Sequence, residues 1–485
     1  MSSMQLFNVN HVFYLLNAIN LLLYVSRAIV PGAPVQFQAF IQESLHVPPD
    51  SVSVYIGILV TAFVAAYSAF ISLFGYLSMH RRPFRLAGSC LFVWVLSMVL
   101  CGLAKSTRSY WLLLAGRVLA GVGESAFQAA VPSFIDEFAP LEKRAWWMGL
   151  FACCLSAGTA LGFTYGSLMA QSIGWDYAYY ILAVVMAPLS YLCAFCIPDL
   201  YNMPLSHDSM AHNSKPGSSL AGFADMWAIL KTALFIVPTI GWAAYAFSIS
   251  GLAAFGPALL IGLGVLEERI CSTVFGGIVV LAGLLGSPLG GYLVDRQCRG
   301  RENESAWRHY VVTRLMFIMA IGALAFALAS VIAVDFPWAI LVLMFIALVC
   351  LFVTTSPFTV GILLSVNKSH RGFAIGLSTA LLHVLGDLPA PLILGTLKDK
   401  WAPHCGSVTV NGTETLNPDC LVSDKAGLTS VLVFAYAWLG WTVLFYGITF
   451  VMARRQLHTM SKLFLQFETS ITPIVMDSPT ISSSM

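Results

Sequence analysis

Residues 116–125, GRVLAGVGES, place two opposite charges inside an apolar run that extends from Trp111 to Ile135. Arg117 and Glu124 are seven residues apart, so on an α-helix they lie on nearly the same face, about 10 Å apart along the axis. Ionised side chains in the hydrocarbon region of a membrane are costly, and they usually face a polar interior and serve a function. The spacing therefore predicts a site that handles an anionic ligand or a proton, with a purely structural Arg–Glu pair as the alternative.

Two other apolar segments carry polar side chains of the same kind. The first has Arg27 directly after Ser26, and the eleventh has His383 and Asp387 within HVLGDLPAP (383–391). Prolines at the end of that stretch open the helix and free backbone carbonyl groups, which is tolerated where the backbone lines a cavity. These residues are therefore candidates for the same polar interior.

We expect one central polar cavity, lined by predicted helices 1, 4 and 11. In it, Arg27 and Arg117 would hold an anionic group or neutralise Glu124. Burial and a neighbouring arginine act in opposite directions on the protonation of a carboxyl group, so Glu124 is predicted to take and release a proton. The alternatives are that Arg27 snorkels to the outer surface, that His383 is a core histidine, and that Asp387 caps the broken helix.

The composition predicts a polytopic, all-α membrane protein. Of the 485 residues, 58% are hydrophobic and only 10% are charged, against about 25% charged residues in soluble domains. A helix needs about 20 mostly apolar residues to cross a bilayer, and twelve segments satisfy this length. The predicted spans are 11–31, 52–77, 84–104, 109–135, 146–170, 176–198, 231–262, 271–294, 309–332, 337–364, 371–396 and 427–453.

Lysine and arginine in the loops predict the orientation, because cytoplasmic loops are enriched in these residues. The connections after even-numbered helices, together with the C-terminal tail, hold sixteen of them, whereas the odd-numbered connections hold six. Both termini are therefore expected in the cytoplasm. The pattern does not distinguish the plasma membrane from an endolysosomal membrane.

The loop between predicted helices 11 and 12 lies outside the cytoplasm in this orientation. It contains the sequon Asn411-Gly412-Thr413, so Asn411 is a candidate for glycosylation. Cys405 and Cys420 lie in the same loop and could form a disulfide there. The other cysteines are scattered without a CxxC pair of metal spacing, so no metal site is expected.

A short pattern recurs after predicted helices 2 and 8. Residues 75–85 read GYLSMHRRPFR and residues 291–300 read GYLVDRQCRG, an offset of 291 − 75 = 216 residues. A duplicated six-helix unit produces such a correspondence. The predicted division is an N-terminal six-helix bundle over 1–198, a cytoplasmic linker over 199–230, a C-terminal six-helix bundle over 231–453 and a cytoplasmic tail over 454–485.

The recurring pattern predicts a cytoplasmic gate. Glycines at its first position permit two helices to approach closely. Asp295 lies at a helix end, where a carboxylate can bind the N-terminus of a neighbouring helix and nearby basic residues. An ordinary basic loop is the alternative. The predicted gate residues are Gly75, Arg81, Arg82, Arg85, Gly291, Asp295, Arg296 and Arg299.

This pattern resembles the G-x-L-a-D-R-x-x-R motif of the major facilitator superfamily. The second copy matches at Gly291, Leu293, Asp295 and Arg296, whereas the first copy has Met79 at the acidic position. The resemblance implies twelve helices in two six-helix bundles, with a first-half latch that is weakened or rebuilt around its arginines.

Predicted helix 5 carries Gly158, Gly162 and Gly166, each four residues apart on one face. Small residues along one face permit close helix packing, and the spacing also resembles the glycine-rich helix 5 of that superfamily. The glycines therefore predict a close neighbour for this face.

The segment GRVLAGVGES narrows the resemblance to the Spinster branch, whose helix 4 carries G-R-x-x-x-G-x-G-E-[AS]. Residues 371–405, with HVLGDLPAPLILGTLKDKWAPHC, resemble the same branch. Spinster-like proteins are secondary transporters linked to lysolipids and sphingoid lipid phosphates. Proton coupling there is assigned to the glutamate on helix 4 and to an acid on helix 1 in a D-R pair. Glu124 and Arg27 match, but Ser26 stands at the acidic position.

Ser26 leaves three possibilities open under this resemblance. Glu124 acts alone in proton coupling, Asp387 shares the work, or the protein is a uniporter.

The resemblance implies a secondary active transporter that works by alternating access, with an amphipathic lipid-like anion as its substrate. From the residues alone, an apolar cavity with two arginines suits an amphipathic anion. A transporter of a small polar metabolite and a non-transporting membrane sensor are the alternatives.

No HExxH, G-x-S-x-G or P-loop pattern occurs, so no enzyme activity is expected. We expect a monomer that needs no cofactor and binds no nucleic acid. Its expected partners are its substrate and the membrane lipids, and whether protons are coupled to transport stays open.

Overall fold

The computed structural model describes residues 8–140, 144–202, 227, 229–301, 304–366, 371–410 and 413–476. Within these residues, twelve helices are long and apolar enough to cross a membrane, which confirms the predicted number and the multi-pass membrane class. Helices form because every backbone polar group must find a partner inside its own segment in lipid. We number these helices α1–α12.

The helix bounds follow from the structure. They are α1 Val9–Arg27, α2 Val52–His80, α3 Pro83–Ser106, α4 Tyr110–Phe138, α5 Arg144–Ser172, α6 Trp175–Tyr191, α7 Ala233–Gly262, α8 Glu268–Cys298, α9 Ser305–Ile332, α10 Pro337–Val353 continued by Thr355–Ser365, α11 Arg371–Leu382 continued by Pro389–Trp401, and α12 Lys425–Ala437 continued by Leu439–Met476.

The chain does not leave the helical conformation at the end of α1. After Arg27 the chain continues through two short helical segments, Ile29–Gly32 and Pro34–Leu45. Proline at the first position of a helix has a backbone angle already suited to it, so Pro34 starts a new segment. The predicted span over 11–31 agrees with the membrane-length helix Val9–Arg27 to within four residues, but the helical segments that follow it as far as Leu45 were not predicted.

The eleventh helix opens at the predicted prolines. A π-helical turn covers His383–Asp387, and the N–H of Leu388 donates to the carbonyl of His383 at 2.9 Å. Pro391 has no N–H to offer to the carbonyl of Asp387. That carbonyl instead accepts a hydrogen bond from the hydroxyl of Ser250 on α7 at 3.5 Å.

A small hairpin lies between α11 and α12. Strand β1 (Ser407–Val410) pairs antiparallel with β2 (Thr413–Leu416), and a short helix, Asp419–Ser423, follows it. A disulfide between Cys405 and Cys420 closes the loop. Asn411, the candidate for glycosylation, lies outside the described residues.

The helices pack in two sets. Among the first six, α4 packs on α2 and α3, and α1 packs on α5; among the last six, α9 packs on α10 and α12, and α7 packs on α12. The two sets meet where α2 contacts α11 and where α5 contacts α8. Of the predicted linker over 199–230, most lies outside the described residues.

The glycine face of α5 has the close neighbour that its spacing predicts, and that neighbour is α1 together with the short segment Ile29–Gly32 that follows it. A Cβ atom added to Gly158 would lie 2.7 Å from the carbonyl oxygen of Leu21, and one added to Gly166 would lie 2.9 Å from the Cα of Ile29. Gly162, between them, faces the carbonyl oxygen of Val25.

Replacing Gly162 by leucine is therefore expected to force α1 and α5 apart and destabilise the protein. Overpacking of a tight contact costs about 1–3 kcal/mol. The midpoint of thermal unfolding, measured on detergent-solubilised protein, should fall. Gly149→Leu is the matched control, because a Cβ atom at Gly149 of the same helix meets nothing within 4 Å. Equal midpoints for the two variants would contradict the tight contact.

We call the end of the bundle that holds Leu45 and Trp401 the distal end, and the end that holds Val9 and Cys298 the proximal end. Hydrogen bonds join the two sets of helices distally. The hydroxyl of Ser272 donates to the carbonyl of Gly32 at 2.8 Å, and Gln36 donates to Glu268 at 2.8 Å. The halves are thus held together on the side opposite Val9 and Cys298.

Candidate functional site

The break in α1 presents Arg27 to Glu124 on α4. Nη2 of Arg27 donates to Oε1 of Glu124 at 2.5 Å, and Nε lies 3.3 Å from Oε2. The side chain of Glu124 is fully buried, whereas that of Arg27 is 24% exposed. Arg27 therefore does not snorkel to the surface but neutralises Glu124 through two bonds in the interior.

Three aromatic rings surround the guanidinium of Arg27. Its Cζ lies 4.7 Å from the ring centre of Tyr24, and 4.9 Å from those of Phe63 and Tyr67. A cation over aromatic faces is stabilised by the ring quadrupole, most strongly where water is excluded. Sequence reasoning missed these rings, because aromatic residues are common in membrane helices. The four-residue spacing of Phe63 and Tyr67 on α2 was the one available signal.

A polar chain extends from Glu124 one turn along α4. Nε2 of Gln128 donates to Oδ1 of Asn20 at 2.8 Å and lies 3.4 Å from Oε1 of Glu124. Nδ2 of Asn20 in turn donates to the carbonyl of Phe151 on α5 at 3.0 Å. Gln128 is therefore a further member of the site, which sequence reasoning missed.

Arg117 does not pair with Glu124, although the two lie on one face of α4 as predicted. Its Nη1 lies 3.5 Å from the carbonyl of Ser26, and its guanidinium lies 4.8 Å above the ring of Phe63. The break in α1 leaves that carbonyl available, because helical continuity is lost after Arg27. Arg117 is only 1% exposed, and its Nε has no hydrogen-bond partner among the described residues.

Ser26 faces its own helix rather than a ligand. It is fully buried, and its hydroxyl donates to the carbonyl of Leu23 at 2.7 Å. A serine hydroxyl held this way offers no carboxylate to the site, so the acidic function expected at this position of the family pattern is missing.

His383 and Asp387 form their own pair on α11. Nδ1 of His383 lies 2.7 Å from Oδ2 of Asp387, and both side chains are about one-fifth exposed. The ring of Tyr67 meets that of His383 edge to face, with the ring centres 5.7 Å apart. Tyr67 also contacts Arg27, so its ring separates the Arg27–Glu124 pair from the His383–Asp387 pair. The predicted lining by helices 1, 4 and 11 therefore lacked α2.

An apolar cavity lies between α5, α7, α8, α9, α10 and α12, so its lining residues belong to other helices than α1, α2 and α4, which hold Arg27, Tyr67 and Glu124. It is not the cavity predicted between helices 1, 4 and 11, because Tyr67 and Phe63 fill the space next to Arg27. Ile249 lines it, one residue before the Ser250 that bonds to α11. Other lining residues include Phe163, Leu252, Phe275, Met344, Leu348 and Tyr436.

The predicted gate residues lie at the proximal end, where neither of their glycines is in close contact with the other half. A Cβ atom at Gly75 would meet nothing within 4 Å, and one at Gly291 would meet only Ser356 of the same half, at 3.9 Å. The close helix approach expected at these glycines is therefore absent in this conformation, because the halves are joined at the other end. Arg82 pairs with Asp199 at 2.5 Å. The remaining gate residues, all exposed, are Arg81, Arg85, Asp295, Arg296 and Arg299.

Comparison with known proteins identifies the fold. The family model of the Major Facilitator Superfamily matches residues 16–391. The chain belongs to this superfamily. It is 27% identical over 368 residues to a probable sphingolipid transporter, spinster homolog 1, of Arabidopsis thaliana, covering 71% of each chain. It is also 27% identical over 411 residues to the human protein spinster homolog 1, covering 79% of this chain and 73% of the human one.

Solved structures of the superfamily share the arrangement of helices. A bacterial homolog of the human lysosomal transporter Spinster, in an inward-facing and unoccupied conformation, superimposes with a TM-score of 0.70 at 17% identity, covering 92% of this chain and 97% of the other. A D-xylose–proton symporter gives a TM-score of 0.60 at 15% identity, covering 88% and 96%. The chain is thus a major facilitator transporter of the Spinster type, and not an enzyme.

Proposed function

We propose that this transporter carries an amphipathic lipid-like anion, a lysolipid or a sphingoid phosphate, across the membrane by alternating access. The observation that carries the proposal is a buried cationic site in the first half together with an apolar cavity between the two halves. Arg27 and Arg117 supply the two positive charges, and the cavity between α5 of the first half and five helices of the second half has an almost wholly apolar lining. The sphingolipid transport ascribed to the plant relatives supports this substrate class.

The two arginines suit an anionic headgroup in different ways. Arg117 carries a charge whose Nε has no partner among the described residues, so an entering phosphate oxygen could complete its hydrogen bonds. Arg27 is already neutralised by Glu124. A guanidinium presents its donors in a planar fork that matches phosphate geometry, so Arg117 offers an unpaired donor and Arg27 offers its donors once Glu124 releases it.

The pairing of Arg27 with Glu124 links anion binding to proton uptake. A protonated Glu124 no longer attracts the guanidinium as a carboxylate does, so Arg27 becomes free to bind the headgroup. An arriving anion favours protonation of Glu124 for the same reason, since binding linkage is reciprocal. We therefore propose that one proton is carried with, or exchanged for, each lipid.

The apolar cavity accommodates the hydrocarbon part of the substrate. Each methylene group moved from water to an apolar site contributes about 0.8 kcal/mol, so the chain of the lipid would supply most of the binding energy. The headgroup site would then provide specificity. A small polar metabolite would gain little from side chains such as Phe275 and Met344.

The loop charges support an orientation with both termini in the cytoplasm. The proximal end then opens to the cytoplasm in this conformation, and the disulfide between Cys405 and Cys420 lies in an oxidising compartment. We propose six-helix bundles over 1–198 and 231–453, a linker over 199–230, glycosylation at Asn411, and residence in the plasma membrane or an endolysosomal membrane.

Transport by purified protein in proteoliposomes tests the proposal. The substrates compared are a sphingoid phosphate, a lysolipid, an amino acid and a sugar, each with and without a pH gradient. We expect uptake of the two lipids and not of the polar metabolites, and faster accumulation with the gradient. Vesicles that take up only the sugar or the amino acid would overturn the lipid assignment, and vesicles inert to every substrate would favour a sensor.

A further inference from the structure

The distal end of α11 holds the first turn of α2 from the opposite half. Oδ1 of Asp399 accepts a hydrogen bond from the N–H of Ser53 at 2.9 Å, and Oδ2 accepts one from the N–H of Val54 at 2.8 Å. The first N–H groups of a helix have no partner within it, and a carboxylate there is also favoured by the helix dipole. The N-terminal cap of α2 is thus supplied by the other half of the protein.

Lys398 adds a second connection at the same place. It is only 3% exposed, and its Nζ donates to the hydroxyl of Ser53 at 2.9 Å and to the carbonyl of Cys405 at 3.0 Å. The second bond ties this contact to the disulfide-closed loop. An ammonium group buried without water is costly unless its bonds are satisfied, so separating the halves here requires water to reach Lys398.

Glycines bring the two helices into backbone contact. A Cβ atom added to Gly395 would lie 2.5 Å from the carbonyl oxygen of Ser53, and Gly57 of α2 faces the carbonyl of Pro391. A side chain at either position would prevent the approach that lets Asp399 reach the start of α2.

The residues that make this contact repeat the pattern of the predicted proximal gate. Residues 395–400 read GTLKDK and residues 291–296 read GYLVDR, so both segments carry G-x-L-x-D followed by a basic residue. The two copies lie at opposite ends of the bundle. The segment 395–400 packs against the other half of the protein. In the segment 291–296, by contrast, Gly291 meets only a residue of its own half, and Asp295 is exposed.

We propose that Gly395, Lys398 and Asp399 form a distal latch that alternates with the proximal gate at residues 291–296. The distal latch holds the transporter closed at the distal end in the present conformation. Its release, with loss of the cap on α2, is required before that end opens, and the proximal copy then engages. The inference rests on the proposed alternating access, and it assigns Asp399 as a positioning residue rather than a substrate ligand.

Hydrogen exchange on the full-length protein, followed by mass spectrometry, tests the latch without any transport assay. Exchange through opening tracks the population of the open state. In Asp399→Asn we expect the α8 segment around Ser272, which does not touch Asp399, to exchange about tenfold faster, equivalent to about 1.4 kcal/mol. The proximal segment around Gly291 should exchange more slowly. Faster exchange confined to the first turn of α2 would mean that Asp399 stabilises only that turn and does not hold the halves together, which would overturn the latch.

Two matched variants complete the test. Asp335→Asn removes a carboxylate whose partner, Lys425, belongs to the same half, so it should leave both segments unchanged. If Asp399→Asn does not fold, Gly395→Val serves instead, with Gly376→Val as its control, because a Cβ atom at Gly376 meets nothing within 4 Å. Unchanged exchange in Gly395→Val would overturn the latch, even if lipid transport is found. The expected exchange pattern with no lipid uptake would leave the latch intact and reject the proposed substrate.

Discussion

Glutamine in place of Glu124 is expected to abolish accumulation driven by a pH gradient, while uptake down the lipid's own gradient continues. Glutamine has nearly the shape of glutamate and keeps one oxygen that can accept from Arg27, but it cannot take up or release a proton. The carboxylate is fully buried and bonded to the arginine, so its charge is the feature that the substitution removes. Accumulation of labelled lipid in proteoliposomes, with an inward or outward pH gradient, measures the effect.

The control for this variant is Glu43→Gln, which makes the same chemical change in an exposed pair with Arg108. We expect it to keep full accumulation. Glu124→Gln could also lower stability, because breaking a buried pair leaves one charge without compensation, so the folded fraction must be measured in parallel. Gradient-driven accumulation at the level of the unchanged protein would leave Glu124 with a structural role only.

An Asp387→Asn variant, measured in parallel, decides whether Glu124 acts alone in proton coupling, whether Asp387 shares the work, or whether the protein is a uniporter. Asp387 is bonded to His383 and separated from Arg27 by the ring of Tyr67. If Glu124 acts alone, this variant keeps its response to the gradient. If the second carboxylate shares the work, the response falls in both variants, and a uniporter shows no response even without substitution.

The number and extent of the membrane helices could be predicted because they depend on a local quantity, the length of an apolar run. The opening of α11 could also be predicted, since proline removes a backbone donor wherever it stands. The helical segments that continue α1 to Leu45 could not be predicted, because Gln38 and Gln42 lower the hydropathy of this part of the sequence although it is helical. Packing against the distal ends of other helices stabilises this segment, whose own composition does not predict a membrane helix.

The membership of the candidate site was predictable only in part. Arg27 and Glu124 could be selected because an ionised residue in an apolar run is rare enough to be informative. The cage formed by Tyr24, Phe63 and Tyr67 could not, because nothing in the sequence ranks these rings above the many other aromatic side chains. Which arginine pairs with Glu124 depends on where α1 breaks, and that is a property of tertiary packing.

The position of the apolar cavity and the state of the gates lie beyond sequence reasoning for a different reason. The cavity depends on how six helices from both halves diverge, and Phe163 and Phe275 come from different halves. An alternating transporter has two arrangements for one sequence. The pattern G-x-L-x-D followed by a basic residue therefore predicts where a gate can form, and only the structure shows that the gate is open at Gly291 and closed at Gly395.

The headgroup role of Arg117 gives the last prediction. Arg117→Gln is expected to reduce uptake of a doubly charged sphingoid phosphate by about 10–100-fold, because a hydrogen bond to a charged group contributes about 1.5–3 kcal/mol. Uptake of a zwitterionic lysolipid should fall much less. Arg117→Lys should recover part of the loss, since it restores the charge but not the planar fork.

The ratio of the two lipid uptake rates separates this role from a structural one. If Arg117 only holds the broken end of α1 through the carbonyl of Ser26, its loss would weaken the fold and lower both rates equally. Arg108→Gln, an exposed arginine paired with Glu43, is the control and should change neither rate. Equal losses for both lipids, or full recovery by a neutral methionine, would reject anion binding by Arg117. A selective loss for the phosphate would show that the charge buried in α4 is kept there for the ligand.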